Sequence, residues 1–196
     1  MLNRHFISAA VLALVSVGAS AQNYVGASVG ISHNYDLDCV NGATCDRSAN
    51  STGKITLGHE FGTTPLWGGD FGGAVEFMGY RAAEAKAGFQ NGTAALAAGS
   101  GLSTGLGAAY AMHLAYGDFA VKTRLGIAYT KGTVDYTAGG SDSNNSWVPY
   151  FGVGASYAVA KNVTVDLDWD RLPTRFRDNT DKANLNMLSL GATYKF

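Results

Sequence analysis

Few residues in this sequence have the types and spacing that acid–base or nucleophilic catalysis needs. Downstream of residue 21 the histidines are His33, His59 and His113. A serine or cysteine nucleophile needs a base within hydrogen-bond reach. His33 and His59 fall at opposite ends of two predicted strands, so they cannot share one site. His113 could contact Glu60, where a packed, hydrogen-bonded histidine is favoured over a catalytic one. We therefore predict no enzyme, no catalytic residues and no cofactor.

The two cysteines are close in sequence and could form a disulfide. Cys39 and Cys45 are separated by five residues in a polar stretch. In an exported chain, which passes through an oxidising compartment, such a pair favours a small disulfide loop. A metal site is disfavoured because no further cysteine and no nearby pair of histidines completes a ligand set. No metal-binding residues are predicted.

A third group of residues could form ion pairs within a narrow interior. Lys122 and Arg124 alternate with apolar residues in one segment, as do Asp166 and Asp168 in another. Alternation places the charged members of a strand on one face. By this parity the charges that face inward are Lys54, Glu60, Glu76, Lys122, Arg124, Asp166, Asp168, Asp170 and Lys195. Enclosed charges must be paired and hydrogen-bonded to be tolerated. We predict an interior ion-pair network of Lys122, Arg124, Asp166, Asp168 and Glu76 that blocks ion flow.

The first 21 residues have the order of a secretory signal peptide. Arg4 is followed by an apolar run over residues 7–17 and by Ala19-Ser20-Ala21, the small residues expected before a cleavage site. The apolar run is too short to span a bilayer as a helix, which takes about 20 residues. We predict a cleaved signal peptide at residues 1–21 and one domain at residues 22–196.

The composition gives no reason to expect nucleic acid as a partner. The 14 Lys+Arg and 15 Asp+Glu residues leave a net charge of −1, without the excess of positive charge that binds phosphate backbones. The chain has 26 glycines, 3 prolines and only 15% charged residues. Strands rich in glycine and aromatic residues, with few charges, are typical of an outer face that meets lipid.

Eight segments alternate between apolar and small or polar residues, as strands do. They lie at residues 25–32, 54–61, 71–78, 102–114, 119–129, 150–159, 163–170 and 188–196. Short connections follow the second, fourth and sixth segments, and long ones follow the others, as in outer-membrane barrels. The alternative is a soluble sandwich or lipocalin-like barrel, with its large apolar residues packed inside. The membrane barrel is favoured because the opposite face carries too few charges for a surface in water.

Two segments and the opening of the chain resemble a known family. Residues 147–157, with the sequence WVPYFGVGASY, resemble the sixth strand of the OmpA-like transmembrane domain family, and residues 188–196, LSLGATYKF, resemble its closing strand. Residues 24–30 and the strand of Glu76 are similar as well. The resemblance implies an all-β, eight-stranded antiparallel up-and-down barrel in the cell outer membrane of a Gram-negative bacterium. It also implies that Tyr194 and Phe196 form a C-terminal signal for the barrel assembly machinery.

The long connections are the remaining candidates for function. We predict them as loops at residues 34–51, 82–98, 131–146 and 173–181. They carry residues suited to surface contact, namely Tyr35, Asp36, Asp38, Arg47, Phe89, Asp135, Tyr136, Arg175, Phe176 and Arg177. Arg175, Arg177 and Lys182 could meet lipopolysaccharide phosphates.

We expect a structural, surface-antigen or adhesion role with a surface ligand or host partner bound through the loops. Solvated loops without a binding role are an equally weighted interpretation. Other possible functions are a small pore or transport protein and, third, an enzyme on lipid A. The further partners expected are outer-membrane lipid, lipopolysaccharide and the barrel assembly machinery.

Overall fold

The computed structural model describes residues 22–36, 52–91, 95–136, 139–177 and 181–196, all of which belong to strands or their connections. The strands are β1 (Gln22–Asp36), β2 (Thr52–Glu60), β3 (Thr64–Leu66), β4 (Gly69–Asn91), β5 (Ala95–Tyr116), β6 (Phe119–Tyr136), β7 (Ser141–Ala160), β8 (Val163–Arg177) and β9 (Asp181–Lys195). Among the described residues we find no helix that could span a membrane. The predicted signal peptide, Cys39 and Cys45 lie outside the described residues, so the cleavage site and the disulfide stay predictions.

The strands form one closed antiparallel sheet. Their order is β2-β1-β9-β8-β7-β6-β5-β4-β3, and β2 also pairs with β4, which closes the ring. β3 pairs only with the first residues of β4, and it continues the line of β2 after a break at residues 61–63. With β2 and β3 counted as one interrupted strand, eight strands therefore surround the interior. This confirms the predicted eight-stranded antiparallel barrel.

The first and last long strands pair with each other, which closes the barrel. Val25 of β1 lies opposite Tyr194 of β9, and Val29 lies opposite Leu190, with a register shift between Gly30 and Ser32. This pairing removes the two free edges that an open sheet would have. In a bilayer, backbone groups at a free edge would have no water to bond, so closure is required.

The outward residues are large and apolar, and they remain exposed. Val29, Leu106 and Trp147 have exposed fractions of 63%, 70% and 68%. A band of this kind around a barrel is stable only where it contacts hydrocarbon rather than water. The alternation predicted from the sequence thus divides a lipid-facing outer surface from an enclosed interior.

Three of the predicted long loops are instead strand extensions. β4 and β5 remain paired out to Asn91 and Ala95, β6 and β7 to Asp135 and Ser141, and β8 and β9 to Arg177 and Asp181. The loop predictions at residues 82–98, 131–146 and 173–181 were therefore wrong. These segments are rich in glycine and polar residues and lack the apolar alternation, which is why the sequence predicted loops. The backbone hydrogen bonds between paired strands do not require an apolar face. The first predicted loop falls mainly on residues outside the described part of the chain.

The two ends of the barrel differ. The turn end carries the connections at residues 61–68, 117–118 and 161–162, together with Gln22 and Phe196. The hairpin end carries the three strand extensions. Trp67 and Gly68, with φ of 52° and 79°, form a two-residue turn between β3 and β4, as the type I′ hairpin turn requires. Outer-membrane barrels generally have short turns at the periplasmic side and long connections at the outer side, so we expect the hairpin end to face outward.

One interior glycine is required by a close approach between strands. A Cβ atom at Gly126 of β6 would lie 2.6 Å from Cα of Ala109 on β5, so β5 and β6 would have to move apart. We expect Gly126→Ala to lower the free energy of unfolding by about 1–3 kcal/mol, the usual cost of overpacking. Urea unfolding in lipid vesicles measures it.

The matched control is Gly62→Ala in the turn after β2. A Cβ atom there would meet nothing within 4 Å, so we expect no change in the urea midpoint. Equal stability of the two variants would show that the β5–β6 spacing can relax without cost.

Candidate functional site

The turn-end half of the interior contains a layer of charged side chains. In the register of β6, β7 and β8, Gly152 lies between Arg124 and Asp170, and Gly154 lies between Lys122 and Asp168. Because β7 has no inward side chain at these two positions, cations of β6 can reach carboxylates of β8 across it. A Cβ atom at either glycine would clash with the facing aspartate.

The structure brings together all five residues of the network expected from the sequence. Lys122 Nζ lies 2.6 Å from Asp166 Oδ1 and 3.4 Å from Asp168 Oδ1. Arg124 Nη1 lies 3.0 Å from Asp168 Oδ1, and its Nε lies 2.5 Å from Glu76 Oε2. Arg124 therefore bridges β4 and β8 across the barrel.

Lys54 and Asp170, which were also predicted to face inward, belong to the same layer of charged side chains. Lys54 Nζ of β2 donates to Asp168 Oδ2 at 3.2 Å and to Asp170 Oδ2 at 2.5 Å. Asp170 is fully buried, and its other oxygen accepts from the Tyr150 hydroxyl at 2.6 Å. Parity alone placed Lys54 and Asp170 inside, but it could not show that strands so distant in sequence would pair their charges.

Hydroxyl groups satisfy further carboxylate oxygens. The Tyr24 hydroxyl donates to Glu76 Oε1 at 2.6 Å, and the Thr193 hydroxyl donates to Asp166 Oδ2 at 2.7 Å. The sequence analysis did not identify these donors. The only indication in the sequence was that both residues alternate with outward-facing residues and therefore face the interior. Buried charges are tolerable only with such pairing and hydrogen bonding. Every charge of this layer is paired, although Arg124 Nη1 and Asp168 Oδ1 contact each other as an ion pair without a hydrogen bond.

The histidines with described side chains are hydrogen-bonded near the turn end. His113 Nε2 lies 3.0 Å from Glu60 Oε1, the contact expected from the sequence. Lys195 Nζ donates to the other oxygen of Glu60 at 2.9 Å. His59 Nδ1 lies 2.8 Å from Asn23 Oδ1. These partners are a carboxylate and an amide rather than a nucleophile, and the described residues contain no cluster able to hold a metal ion.

The hairpin-end half of the interior is apolar, which the sequence reading did not anticipate. A buried cluster fills it, comprising Met78, Tyr80, Ala82, Ala109, Ala128, Val134, Val148, Tyr150, Leu172 and Leu185. Ser103 Oγ links this cluster by hydrogen bonds of 3.0 Å to the hydroxyls of Tyr80 and Thr174. The inward face was predicted to be small and polar, but beyond the charged layer it carries large apolar side chains.

A cavity of about 190 Å³ lies on the turn side of the apolar cluster. Its lining includes Tyr24, Glu60, His113, Lys122 and Thr193. Large cluster members such as Tyr80 and Leu172 do not line it. The space therefore opens toward the turn end and stops at the charged layer and the apolar cluster.

The closing residues lie on the outer surface at the turn end. Tyr194 and Phe196 are about half exposed, and their rings stack with centroids 6.4 Å apart. The Phe196 amide donates to the Asn23 carbonyl at 2.9 Å, which holds the last residue against β1. The role of Tyr194 and Phe196 as an assembly signal stays a prediction.

Removing the bridging cation should destabilise the barrel. Arg124 is buried between Glu76 and Asp168, so Arg124→Met leaves buried carboxylates short of a partner. We expect the free energy of unfolding in lipid vesicles to fall by about 3–5 kcal/mol. Urea titration followed by tryptophan fluorescence measures it.

The matched control is Lys161→Met, which also removes one positive charge but at an exposed turn position. We expect it to change stability by no more than about 0.5 kcal/mol. A similar loss in both variants would contradict a specific role for the charged layer.

Comparisons with known proteins agree with this architecture. The outer membrane protein beta-barrel domain family matches residues 7–196. No curated protein matches the chain. Among solved structures, Ail, the attachment invasion locus protein of Yersinia pestis, aligns with a TM-score of 0.55 and 13% identity over 91% of this chain and 100% of that one.

Two further structures align almost as well. Neisserial surface protein A has a TM-score of 0.54 and 17% identity over 91% of this chain and 98% of its own. Ail in complex with the heparin analogue sucrose octasulfate has a TM-score of 0.53 and 14% identity over 91% and 100% of the two chains. Identities this low show a shared fold, and they confirm the expected likeness to small outer-membrane barrels. Since the family match spans nearly the whole sequence, the chain belongs to the outer membrane protein beta-barrel domain family.

Proposed function

We propose that this protein is a non-conducting outer-membrane barrel that presents its long hairpins at the cell surface for attachment. The observation that carries this proposal is the filled interior. A charged layer with paired residues and an apolar cluster lie one above the other, so the barrel offers no continuous aqueous path through the described residues. The hairpins then remain as the surfaces available to a partner.

The hairpins extend well beyond the lipid-facing band. Tyr129 and Trp147 lie opposite each other on β6 and β7, with ring centroids 5.2 Å apart, and aromatic pairs of this kind mark a membrane interface. From there the ladder continues for six more residue pairs, to Asp135 opposite Ser141. That corresponds to roughly 20 Å along the strands.

The outward residues beyond the aromatic pair change character. They are Lys131, Thr133 and Asp135 on β6 and Ser141, Ser143 and Asn145 on β7. This switch from aromatic to polar residues fits a segment that stands in water outside the bilayer. A solvated hairpin that is paired along its length is suited to contact another surface, because it loses less conformational entropy on binding than an unpaired loop does.

The fold shared with Ail is consistent with attachment. The name of that protein refers to attachment and invasion, and one of its structures contains a heparin analogue. In the present chain the β8–β9 hairpin carries Arg175 opposite Lys182 in register. Two basic residues at paired positions would favour an anionic partner such as a sulfated polysaccharide. An enzymatic role on lipid A has no comparable support from the described side chains.

Because the interior is filled, we predict that the barrel does not conduct ions. We expect the purified barrel in planar bilayers to show no steady, large conductance. We also expect Arg124→Ala to remain closed, because Tyr80, Leu172 and Leu185 would still fill the hairpin-end half. Single-channel recording tests both. A steady open level in the unaltered protein would refute the sealed barrel and favour a small pore.

Shortening the β6–β7 and β8–β9 hairpins should strongly reduce attachment without affecting the barrel. Replacing residues 133–143 with Asn-Gly joins Gly132 to its partner Asn144, and replacing residues 175–182 with Asn-Gly joins Thr174 to its partner Ala183. Asn-Gly forms the two-residue turn that such a junction needs. We expect cells that display the doubly shortened barrel to lose about nine-tenths or more of their attachment to epithelial monolayers, an effect of about tenfold.

Heat-dependent gel migration of the shortened protein verifies that it is folded in the outer membrane. Soluble heparin added to the unaltered strain tests whether the partner is a sulfated polysaccharide, and we expect it to compete. Equal attachment by folded full-length and folded shortened proteins would contradict the proposal.

A further inference from the structure

The outer surface contains a groove near the boundary of the lipid-facing band. Its volume is about 710 Å³, and its lining includes residues of β2, β4, β5 and β6. In the register, Ile55 lies opposite Gly79, and Gly79 lies opposite Leu106. Ile55 and Leu106 are more than half exposed, so they form two apolar walls with no side chain between them at Gly79.

Two outward-facing glycines of this groove, Gly53 and Gly79, are not explained by packing. A Cβ atom at Gly53 would meet nothing within 4 Å, and one at Gly79 would meet only Leu106 Cδ2 at 3.4 Å, an ordinary contact. Gly126, by contrast, lies against the backbone of a neighbouring strand. The barrel could therefore carry side chains at positions 53 and 79, and glycine at both leaves the groove open.

Two cations border the groove on its hairpin side. Arg81, Thr104 and Lys131 are consecutive partners across β4, β5 and β6. With strands spaced about 4.8 Å apart, the Arg81 and Lys131 backbones are roughly 10 Å apart. Both side chains are exposed. Neither has an ion pair or hydrogen bond with the residues that the structure describes.

The depth of these cations matches that of lipid headgroups. The adjacent row toward the membrane centre contains Ile55, Leu106 and Tyr129, of which Tyr129 belongs to the interfacial aromatic pair. Beyond Lys131 the outward residues of β6 are polar. Arg81 and Lys131 thus stand where hydrocarbon gives way to headgroups, and a lipid phosphate there could accept charge-assisted hydrogen bonds from both.

We propose that this groove binds one molecule of lipopolysaccharide. One acyl chain lies over Gly79 between Ile55 and Leu106, and one lipid A phosphate lies between Arg81 and Lys131, above Thr104. The inference rests on the orientation of the proposed function, which places the hairpin end outside the cell. In the outer leaflet at that end, lipopolysaccharide is the phosphorylated lipid that combines acyl chains with phosphate at this depth.

Native mass spectrometry of the purified barrel in detergent tests the site by counting bound lipids. The probes are lipid A, dephosphorylated lipid A and phosphatidylglycerol. We expect one tight lipid A molecule per barrel and weaker binding of the other two. The double variant R81Q/K131Q should weaken lipid A binding by about tenfold or more, because two charge-assisted hydrogen bonds are lost.

Two further variants separate charge from shape. G79L keeps both cations and fills the groove, so it should weaken lipid A binding without changing the charge. R171Q removes an exposed outward cation of β8 that lies outside the groove and should leave binding unchanged. The heat-dependent gel shift confirms that each variant is folded.

Several results would overturn the proposal. Unchanged lipid A binding by R81Q/K131Q would show that the two cations do not hold the phosphate. An equal loss in R171Q would reduce the effect to general surface charge, and equal binding of phosphatidylglycerol would remove the assignment to lipopolysaccharide. The measurement uses no host cell, so its failure is distinct from a failure of the attachment proposal.

Discussion

The constraint on which the whole structure depends is that backbone groups in hydrocarbon must be paired within the protein. The β1–β9 ladder meets it by joining the strands that begin and end the described chain. Once the barrel has closed with eight strands, its diameter is set, and a barrel of that size encloses only enough space for side chains. The charges on the inner face are then forced into mutual contact. Closure, narrow bore and ion pairing are consequences of one requirement.

The interior solves this crowding in two ways at two depths. At the turn end, Arg124 and Lys54 reach across the bore to carboxylates on other strands, and tyrosine and threonine hydroxyls bond the remaining oxygens. At the hairpin end, Leu172 and Leu185 are fully buried within the apolar cluster and exclude water. Glycine has different purposes on the two surfaces. Inside, Gly152 and Gly154 make room for neighbouring side chains, whereas outside, Gly53 and Gly79 leave space that no protein atom fills.

Much of the fold could be predicted because a strand in a membrane barrel has a strict period. Lys122, Arg124, Asp166 and Asp168 face inward as parity required, and the β7 glycines between them leave room for them to meet. The partners of Lys54 could not be foreseen, since they depend on how strands far apart in sequence face each other across the bore. The hairpin lengths were also missed. Segments such as Ser141–Asn145 lack an apolar face, and backbone pairing in water leaves no periodic signal in side-chain type.

The contact between Lys54 and Asp170 joins residues 116 positions apart. Lys54 lies on the second strand and Asp170 on the last but one, so neither has its partner until nearly the whole chain has been delivered. A partly built barrel would hold several bare charges in a medium that cannot solvate them. Stable stepwise insertion of single strands is therefore disfavoured, and folding should be highly cooperative, with the slow kinetics typical of non-local contacts. The ion pair that stabilises the finished barrel thus also disfavours barrels in which the later strands are missing.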